Sequence, residues 1–226
     1  MLLAACDHGV TRETQAVVFS VDGTASVTHA RNGRTEPIQV HSHLSVGDLV
    51  KTSMGGKLRL QVVPGILSEI KADSELEIEA LQVTKDGNAM VNAMLLRKAW
   101  LRFTRGTMDT VVEKKDAAGA TLTVDTPLGA VNARGECAFR ITINDGKARV
   151  LCLRGTMQVQ PGRSGSGSLQ AGFYRDLAAG TDATKRADED DEMQDEVVAT
   201  LQSMEELLSL QSHKILEPAP WRRLLR

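Results

Sequence analysis

The chain has 226 residues, of which 42% are hydrophobic and 25% are charged, a composition typical of a soluble globular protein. Its net charge of −2 and its scattered lysines and arginines offer no basic surface for a phosphate backbone, so nucleic acid is not an expected partner. No apolar run reaches the roughly 20 residues that a membrane-spanning helix needs.

Near the start of the chain, Leu3-Ala4-Ala5-Cys6 combines small residues with a cysteine. This segment resembles the lipobox of bacterial lipoproteins, in which signal peptidase cleaves before the cysteine and a lipid is attached to it. The basic part and most of the apolar part of a signal peptide are missing, so residues 1–14 are predicted to be a truncated signal with a lipobox and a tether. Lipidation at Cys6 and anchoring to a membrane are therefore expected. The alternative is a short apolar N-terminus with a chance cysteine.

Short segments of alternating apolar and polar residues follow, as in Ala16–Ser20 and Lys57–Val63, and predict strands with one buried face. Between them lie turn residues such as Pro64-Gly65 and Asn144-Asp145-Gly146. No strand–helix–strand rhythm interrupts this pattern. The fold is predicted to be mainly β, a sandwich or solenoid-like roll of short antiparallel hairpins with one C-terminal amphipathic helix.

Two short motifs recur along the predicted strands. Asp-Gly-x-Ala-x-Val occurs at 22–27, 86–91 and 145–150, and Arg-Gly-Thr-Met occurs at 105–108 and 154–157. The recurrence indicates a supersecondary unit that is used more than once. Chance similarity among turn-rich β sequences is the alternative.

The turn at 144–146 joins two alternating segments that each contain a cysteine. Pairing their apolar faces places Phe139 opposite Val150 and Cys137 opposite Cys152. Directly opposed residues on antiparallel strands are close to the spacing that a disulfide accepts, so a bond between the two cysteines is predicted for an oxidising compartment. The alternatives are two buried thiols that fill the core, or a bulge that shifts the register.

The composition changes after Gly180, where a polar linker ends in the acidic run 188–192. Residues 181–226 are predicted to form this acidic linker, an amphipathic helix and a basic tail. An apolar stripe along this helix is predicted either to pack on the β domain or to pair with another helix, from a partner or from a second copy in a homo-oligomer. The apolar stripe of the helix consists of Met193, Val197, Leu201, Met204 and Leu208.

Several turn motifs occur in a fixed order. Leu44-x-x-Gly47-Asp48-x-x-x-Thr52 comes first, Thr126-Pro127-x-Gly129-x-Val131 and Arg134-Gly135 follow, and Leu169-x-Ala171-Gly172 closes the series. With this order, residues 15–180 resemble the FecR domain family. One departure is Glu136, where the family has threonine after the glycine. The family-motif residues are Gly47, Asp48, Thr52, Gly129, Arg134, Gly135 and Gly172.

The resemblance implies a non-catalytic binding or signalling module of the bacterial cell envelope, lipid-anchored or periplasmic, that recognises a protein or ligand outside the inner membrane. It does not extend to the cytoplasmic anti-sigma segment of the iron-transport regulators, so direct control of a sigma factor does not follow from it. Two alternatives remain open. One is a structural envelope scaffold that assembles through the C-terminal helix, and the other is a carbohydrate-active enzyme on a β roll.

No segment has the residues and spacing of a catalytic or metal site. His41-Ser42-His43 places two imidazoles on one face of a strand, but no third ligand is evident, so no metal site is expected. Ser164–Ser168 lacks the strand–turn–helix context of a nucleophile elbow. The sequence therefore predicts no catalytic residues and no cofactor.

Overall fold

The computed structural model shows a β protein with one long C-terminal helix. Outside the described residues lie Cys6 with its lipobox, residues 87–91 of the second recurrent motif, part of the serine-glycine loop and the basic tail. No helix within the described residues is both long and apolar enough to cross a bilayer. The structure describes residues 9–86, 94–113, 119–162, 166–177 and 183–216, with side chains to residue 210.

Strands occupy most of the described chain, as the alternation in the sequence predicts. The strands in chain order are β1 (Gly9–Glu13), β2 (Ala16–Asp22), β3 (Ala25–Thr28), β4 (Thr35–Pro37), β5 (His43–Leu44), β6 (Leu49–Thr52), β7 (Lys57–Val63), β8 (Ile66–Ile70), β9 (Glu75–Asp86), β10 (Met94–Val112), β11 (Gly119–Thr126), β12 (Gly129–Arg134), β13 (Cys137–Asn144), β14 (Lys147–Arg154), β15 (Thr156–Pro161), β16 (Gly167–Gln170), β17 (Phe173–Asp176) and β18 (Thr184–Arg186). A 3-10 turn at Ala187–Glu189 then leads into helix α1 (Asp191–Leu216).

The strands form two sheets that share β10. Sheet A has the order β4-β3-β6-β9-β10-β11-β12-β15-β16, and β1 pairs with β9 beyond the end of β6. Sheet B has the order β5-β2-β7-β8-β10-β13-β14-β17-β18. Their inner faces bury one common core, which makes the fold a sandwich, one of the two predicted architectures. The pair β10–β11 is parallel, whereas only antiparallel hairpins were predicted.

β10 passes from sheet A to sheet B at Gly106, which has a φ of 97°. A Cβ atom at this position would lie 2.0 Å from Ser74 Oγ and 2.6 Å from Ser74 Cα. Only glycine combines this backbone conformation with such a close approach of two segments of the backbone. The glycine of the first Arg-Gly-Thr-Met motif therefore permits one strand to serve both layers.

The order of strand pairing repeats once along the chain. In the first half β2 pairs with β7, β7 with β8, β3 with β6 and β6 with β9. In the second half, in the same order, β10 pairs with β13, β13 with β14, β11 with β12 and β12 with β15. The recurrent motifs do not mark this repeat. Arg-Gly-Thr-Met lies inside β10 at 105–108 but between β14 and β15 at 154–157. The repeat is one of topology, and the short motifs are separate glycine bends.

Candidate functional site

Helix α1 packs across the outer face of sheet B, the face turned away from the common core. Met193, near its start, contacts Leu151 and Tyr174. Met204, further along, contacts Leu67 and Val111. The helix therefore crosses the strands of sheet B, and the packing of the stripe on the β domain is the alternative that the structure favours.

The predicted stripe only partly coincides with the buried face of α1. Met193 and Met204 are buried and Val197 and Leu208 are half-buried, but Leu201 is 48% exposed. The buried face continues instead through Thr200, Ser203 and Leu207. Since polar residues occupy two of these positions, apolar periodicity in the sequence located only part of the buried face.

Beneath α1, four charged residues on adjacent strands form one row, called here the charged row: Arg59, Glu69, Asp109 and Arg140. Arg59 Nε donates to Glu69 Oε2 at 2.6 Å. Arg140 donates to both carboxylate oxygens of Asp109, at 2.6 and 2.8 Å. Glu69 and Asp109 are 1% and 0% exposed, so both carboxylates depend on protein partners, including Lys71 Nζ at 3.1 Å from Asp109 Oδ2, for the contacts that water would otherwise provide.

Helix α1 completes the hydrogen bonding of the charged row. Ser203 Oγ donates to Glu69 Oε1 at 2.9 Å, and Glu206 forms an ion pair with Arg59. Arg140 Nη1 donates to the backbone carbonyl of Glu196 at 3.4 Å. Replacing a buried ion pair by apolar residues is often neutral in stability. The contacts between α1 and the charged row therefore fix the position of the helix more than they add stability.

The start of α1 is held by a second set of polar contacts. Tyr174 donates its hydroxyl to Asp190 Oδ2 at 2.7 Å, while Asp190 Oδ1 accepts from the backbone N–H groups of Glu192 and Met193. The carboxylate thus caps the helix N-terminus. The hydrogen bond from Tyr174, supported by these N–H groups, lowers the pKa of Asp190 against the opposing effect of burial.

An apolar groove of about 780 Å³ runs beside α1. Its walls include Leu153 and Phe173 from sheet B and Val198 and Leu201 from the helix. Val198 is 55% exposed, which is unusual for a large apolar residue on a helix that is already packed. The sequence did not single out Val198, because it lies outside the stripe that was predicted to bury.

The family-motif residues near the start of the domain organise backbone turns. Asp48, which is 3% exposed, accepts from the N–H of Ser45 at 2.9 Å and of Ala30 at 3.3 Å, and His29 Nδ1 lies 3.2 Å from both of its carboxylate oxygens. Gly47 has a φ of 84°, and a Cβ there would lie 2.6 Å from the Cβ of Ala30. These two residues join the turn before β6 to the β3–β4 hairpin.

Thr52 ties β6 to the crossover between the two sheets. Its hydroxyl donates to the carbonyl of Lys71 at 2.6 Å and accepts from the N–H of Ser74 at 3.0 Å. Ser74 is also the residue against which Gly106 packs. The first group of motif residues thus supports the change of sheet that the chain makes between β8 and β9.

The later motif residues also lie at bends, apart from one. Gly129, Gly135 and Gly172 have φ values of 153°, 76° and 84°. At Gly129 a Cβ would lie 2.3 Å from the carbonyl oxygen of Gln160, whereas Gly135 and Gly172 face open space. Arg134 ends β12 and is exposed. The structure does not bring the family-motif residues together into one site, because each serves a different turn.

The predicted register of the β13–β14 hairpin is wrong. Phe139, rather than Cys137, lies opposite Cys152, and Asn144 pairs with Lys147 across a two-residue turn. Cys137 lies opposite Val112 of β10 instead. Both cysteines are buried free thiols in the structure, so the direct opposition on which the disulfide prediction rested is absent.

Alkylation is expected to leave both thiols unmodified until the protein unfolds. Burial raises the pKa of Cys137 to about 12 and that of Cys152 to about 11, so the reactive thiolate is scarce in the folded protein. Since the unfolded value is 9.0, the stabilisation of the neutral thiols is complete below pH 9 and is lost as the pH rises toward 12. Mass spectrometry after iodoacetamide treatment of a Cys6→Ser variant measures this. A denatured, unreduced sample that takes up no label would instead contain the disulfide.

The other candidate residues do not converge. His41 adopts a φ of 68° and precedes β5, and within the part of the chain that the structure describes no three His, Cys, Asp or Glu side chains form a metal-like group. Glu69 and Asp109, which share the charged row, are each engaged by an arginine under α1. They are therefore not placed for acid–base chemistry on a substrate.

Comparison with known proteins identifies one family. Residues 48–158 match the model of the family described as FecR protein. No curated protein matches the chain. Two crystal structures of a "putative anti-sigma factor" from Parabacteroides distasonis ATCC 8503 are similar at 13% identity, with TM-scores of 0.44 and 0.43. The similarity covers 61% of this chain and 59% of theirs.

Proposed function

Because the chain carries a FecR domain over residues 48–158, we propose that it is a non-catalytic signalling module of the bacterial cell envelope that recognises a protein partner. The observation that supports a protein partner is the apolar groove beside α1, with Val198 and Leu201 exposed on its helical wall. Exposed apolar side chains next to a fixed helix are typical of a protein interface.

The groove fits an amphipathic helix of the partner, lying along α1. The contacts with the charged row hold α1 on sheet B, so its outer edge can receive a partner without moving. Arg186 and Asp188, which form an ion pair on the rim, provide polar contacts beside the apolar surface. An apolar centre with a polar rim is the common composition of such interfaces.

The proposed address is outside the inner membrane, with a lipid attached to Cys6. It is supported by the similarity of Leu3-Ala4-Ala5-Cys6 to a lipobox and by the FecR domain that follows. Metabolic labelling with a palmitate analogue tests it, because wild-type protein should carry the label in the membrane fraction and a Cys6→Ser variant should not. Unlabelled wild-type protein in the cytosol would contradict this address.

The charged substitution Leu201→Asp is expected to abolish signalling without unfolding the protein. Leu201 is 48% exposed, so aspartate costs little stability but places a charge on the apolar wall of the groove. The measurement is the set of transcripts that changes when the gene is deleted. The Leu201→Asp variant should show the same transcript changes as the deletion. Thr35→Asp, which adds the same charge at an exposed position of β4, should behave like wild type.

The result separates this function from the two alternatives. A wild-type response of Leu201→Asp, with the variant folded and present at normal level, would contradict signalling through the groove. A scaffold that assembles through α1 would show a change of mass in solution with the same variant. An enzyme on the β roll would keep its turnover, because Leu201 has no acid–base group and lies on the wall of the groove beside α1.

A further inference from the structure

The outer face of sheet A carries a straight row of uncharged polar side chains. It crosses five neighbouring strands through successive paired positions, so its ends are about 19 Å apart at ~4.8 Å per strand. Helix α1 lies on the other sheet, and among the described residues Trp100, Gln158 and Ser168 are exposed on this face. The members of this polar row are Trp100, Thr123, Asn132, Gln158 and Ser168.

The aromatic end of the polar row is held in a fixed position. Trp100 is 41% exposed, and its Nε1–H donates to Asp125 Oδ2 at 2.9 Å on the neighbouring strand. The indole therefore leans along the sheet, and its exposed area is available for stacking. A ring whose position is already fixed loses little conformational entropy when a ligand stacks on it.

The amide next to it is also oriented. Thr123 Oγ1 donates to Asn132 Oδ1 at 2.9 Å, which directs the NH₂ group of Asn132 away from Thr123. Gln158, the following member, is exposed. Adjacent amide and hydroxyl groups present donors and acceptors side by side, the arrangement that the paired hydroxyls of a sugar require.

Two shallow clefts border the row and have Gln160 in common. One, of about 490 Å³, includes Arg134 and Thr156, and the other, of about 430 Å³, includes Arg102 and Pro127. Arg102 is neutralised by ion pairs with Glu77 and Glu79 of β9. The row itself has no charged member, and the arginine of the cleft beside Trp100 is paired, which favours an uncharged ligand.

From this arrangement we propose that the outer face of sheet A binds a linear, uncharged polysaccharide strand along the polar row. Trp100 stacks on the C–H face of one sugar, and Asn132 and Gln158 hydrogen-bond the hydroxyls of the next sugars. A protein interface would have a cluster of apolar anchors at its centre, whereas the large apolar residues exposed on the described part of this face, Trp100 and Leu96, lie at one end of the row. The site is separate from the groove beside α1, and neither depends on the other.

The test uses the full chain with Trp221→Phe, so that Trp100 is the only tryptophan. Titration with chitohexaose and with cellohexaose is expected to give a saturable change in tryptophan emission for at least one of them. Asn132→Ala and Gln158→Ala are each expected to weaken binding about 10-fold, through loss of one polar contact. Gln39→Ala, an exposed glutamine between β4 and β5, is the matched control and should bind normally.

Calorimetric titration with a Trp100→Ala variant removes the stacking surface and reports binding without the fluorophore. We expect no measurable binding by that variant, with an unchanged far-ultraviolet spectrum. Absence of saturable binding to both oligosaccharides at millimolar concentration would overturn the proposal. So would equal affinity of the Asn132→Ala and Gln39→Ala variants, or binding of dextran sulfate alone, which would assign the face to polyanions.

Discussion

Replacing Arg140 with methionine is expected to lower the free energy of unfolding by about 3 to 5 kcal/mol at neutral pH. Arg140 supplies two hydrogen bonds to Asp109, which is 0% exposed and so has no access to replacement water. Methionine fills a similar volume, so the loss measures the buried carboxylate, left with Lys71 at 3.1 Å as its charged partner, rather than a cavity. Urea unfolding followed by circular dichroism gives the value.

A matched ion pair at the end of the same sheet provides the control. Arg149 Nε donates to Asp176 Oδ1 at 2.7 Å, almost the same distance, but the two side chains are 28% and 33% exposed. Arg149→Met is expected to cost about 1 kcal/mol or less, because water solvates the remaining carboxylate. Equal losses for the two variants would show that burial of the charged row is not what makes Arg140 important.

The double variant Arg140→Met/Asp109→Leu should recover most of the lost stability. Removing both charges also removes the desolvation that each of them suffers under α1. Lys71 Nζ, which lies 3.1 Å from Asp109 Oδ2, is 28% exposed and can turn to water. A double variant as unstable as Arg140→Met would mean that the charged row is required for the packing of α1 itself.

Replacing Gly155 with alanine is expected to cost about 3 to 5 kcal/mol, the second large effect. Gly155 has a φ of 77°, and a Cβ there would lie 2.3 Å from the backbone carbonyl oxygen of Glu136. The segments that carry Gly155 and Glu136 cannot move apart freely, because Cys137, which is part of the same contact, lies in the common core. Thermal and urea unfolding of the variant measure the effect.

Gly135 is a control with nearly the same backbone conformation. Its φ is 76°, but nothing lies within 4 Å of the Cβ that alanine would add. Gly135→Ala is therefore expected to lower the free energy of unfolding by only about 1 to 2 kcal/mol, the cost of placing alanine in the left-handed conformation. Equal costs at the two positions would assign both effects to φ alone and would contradict the close contact at Gly155.

The two faces of the sandwich differ in a way that suits two kinds of partner. The outer face of sheet B is covered by α1, which leaves an apolar groove, while that of sheet A carries a row of polar residues and is covered by no helix of the described chain. The groove is suited to protein side chains, because apolar burial drives such contacts. The polar row is suited to a ligand that brings its own hydroxyl groups.

Much of the architecture was determined by the sequence alone. Alternating residues predicted the strands, and turn residues such as Asn144-Asp145-Gly146 marked the hairpins. The acidic run and the apolar stripe predicted α1, and Met193 and Met204 of that stripe are buried. These features are local, because the period of a strand or helix and the φ of a turn residue are set within a few positions.

The β13–β14 hairpin shows where local information ends. Asp145 and Gly146 both have positive φ, 49° and 71°, which makes a two-residue turn and moves Cys152 opposite Phe139. The predicted register differs from the observed one by two residues. Every side chain therefore stays on its predicted face of the sheet, but the residue opposite it on the paired strand is a different one. Alternation therefore predicted burial correctly and could not predict pairing.

The charged row was decided by the tertiary structure only. The sandwich places its carboxylates, Glu69 and Asp109, on the outer face of sheet B. Packing of α1 over that face then buries them, with Ser203 brought to Glu69 across 134 positions of the chain. Whether an outward residue meets water or another element depends on contacts between distant segments, and no periodicity within one segment carries that information.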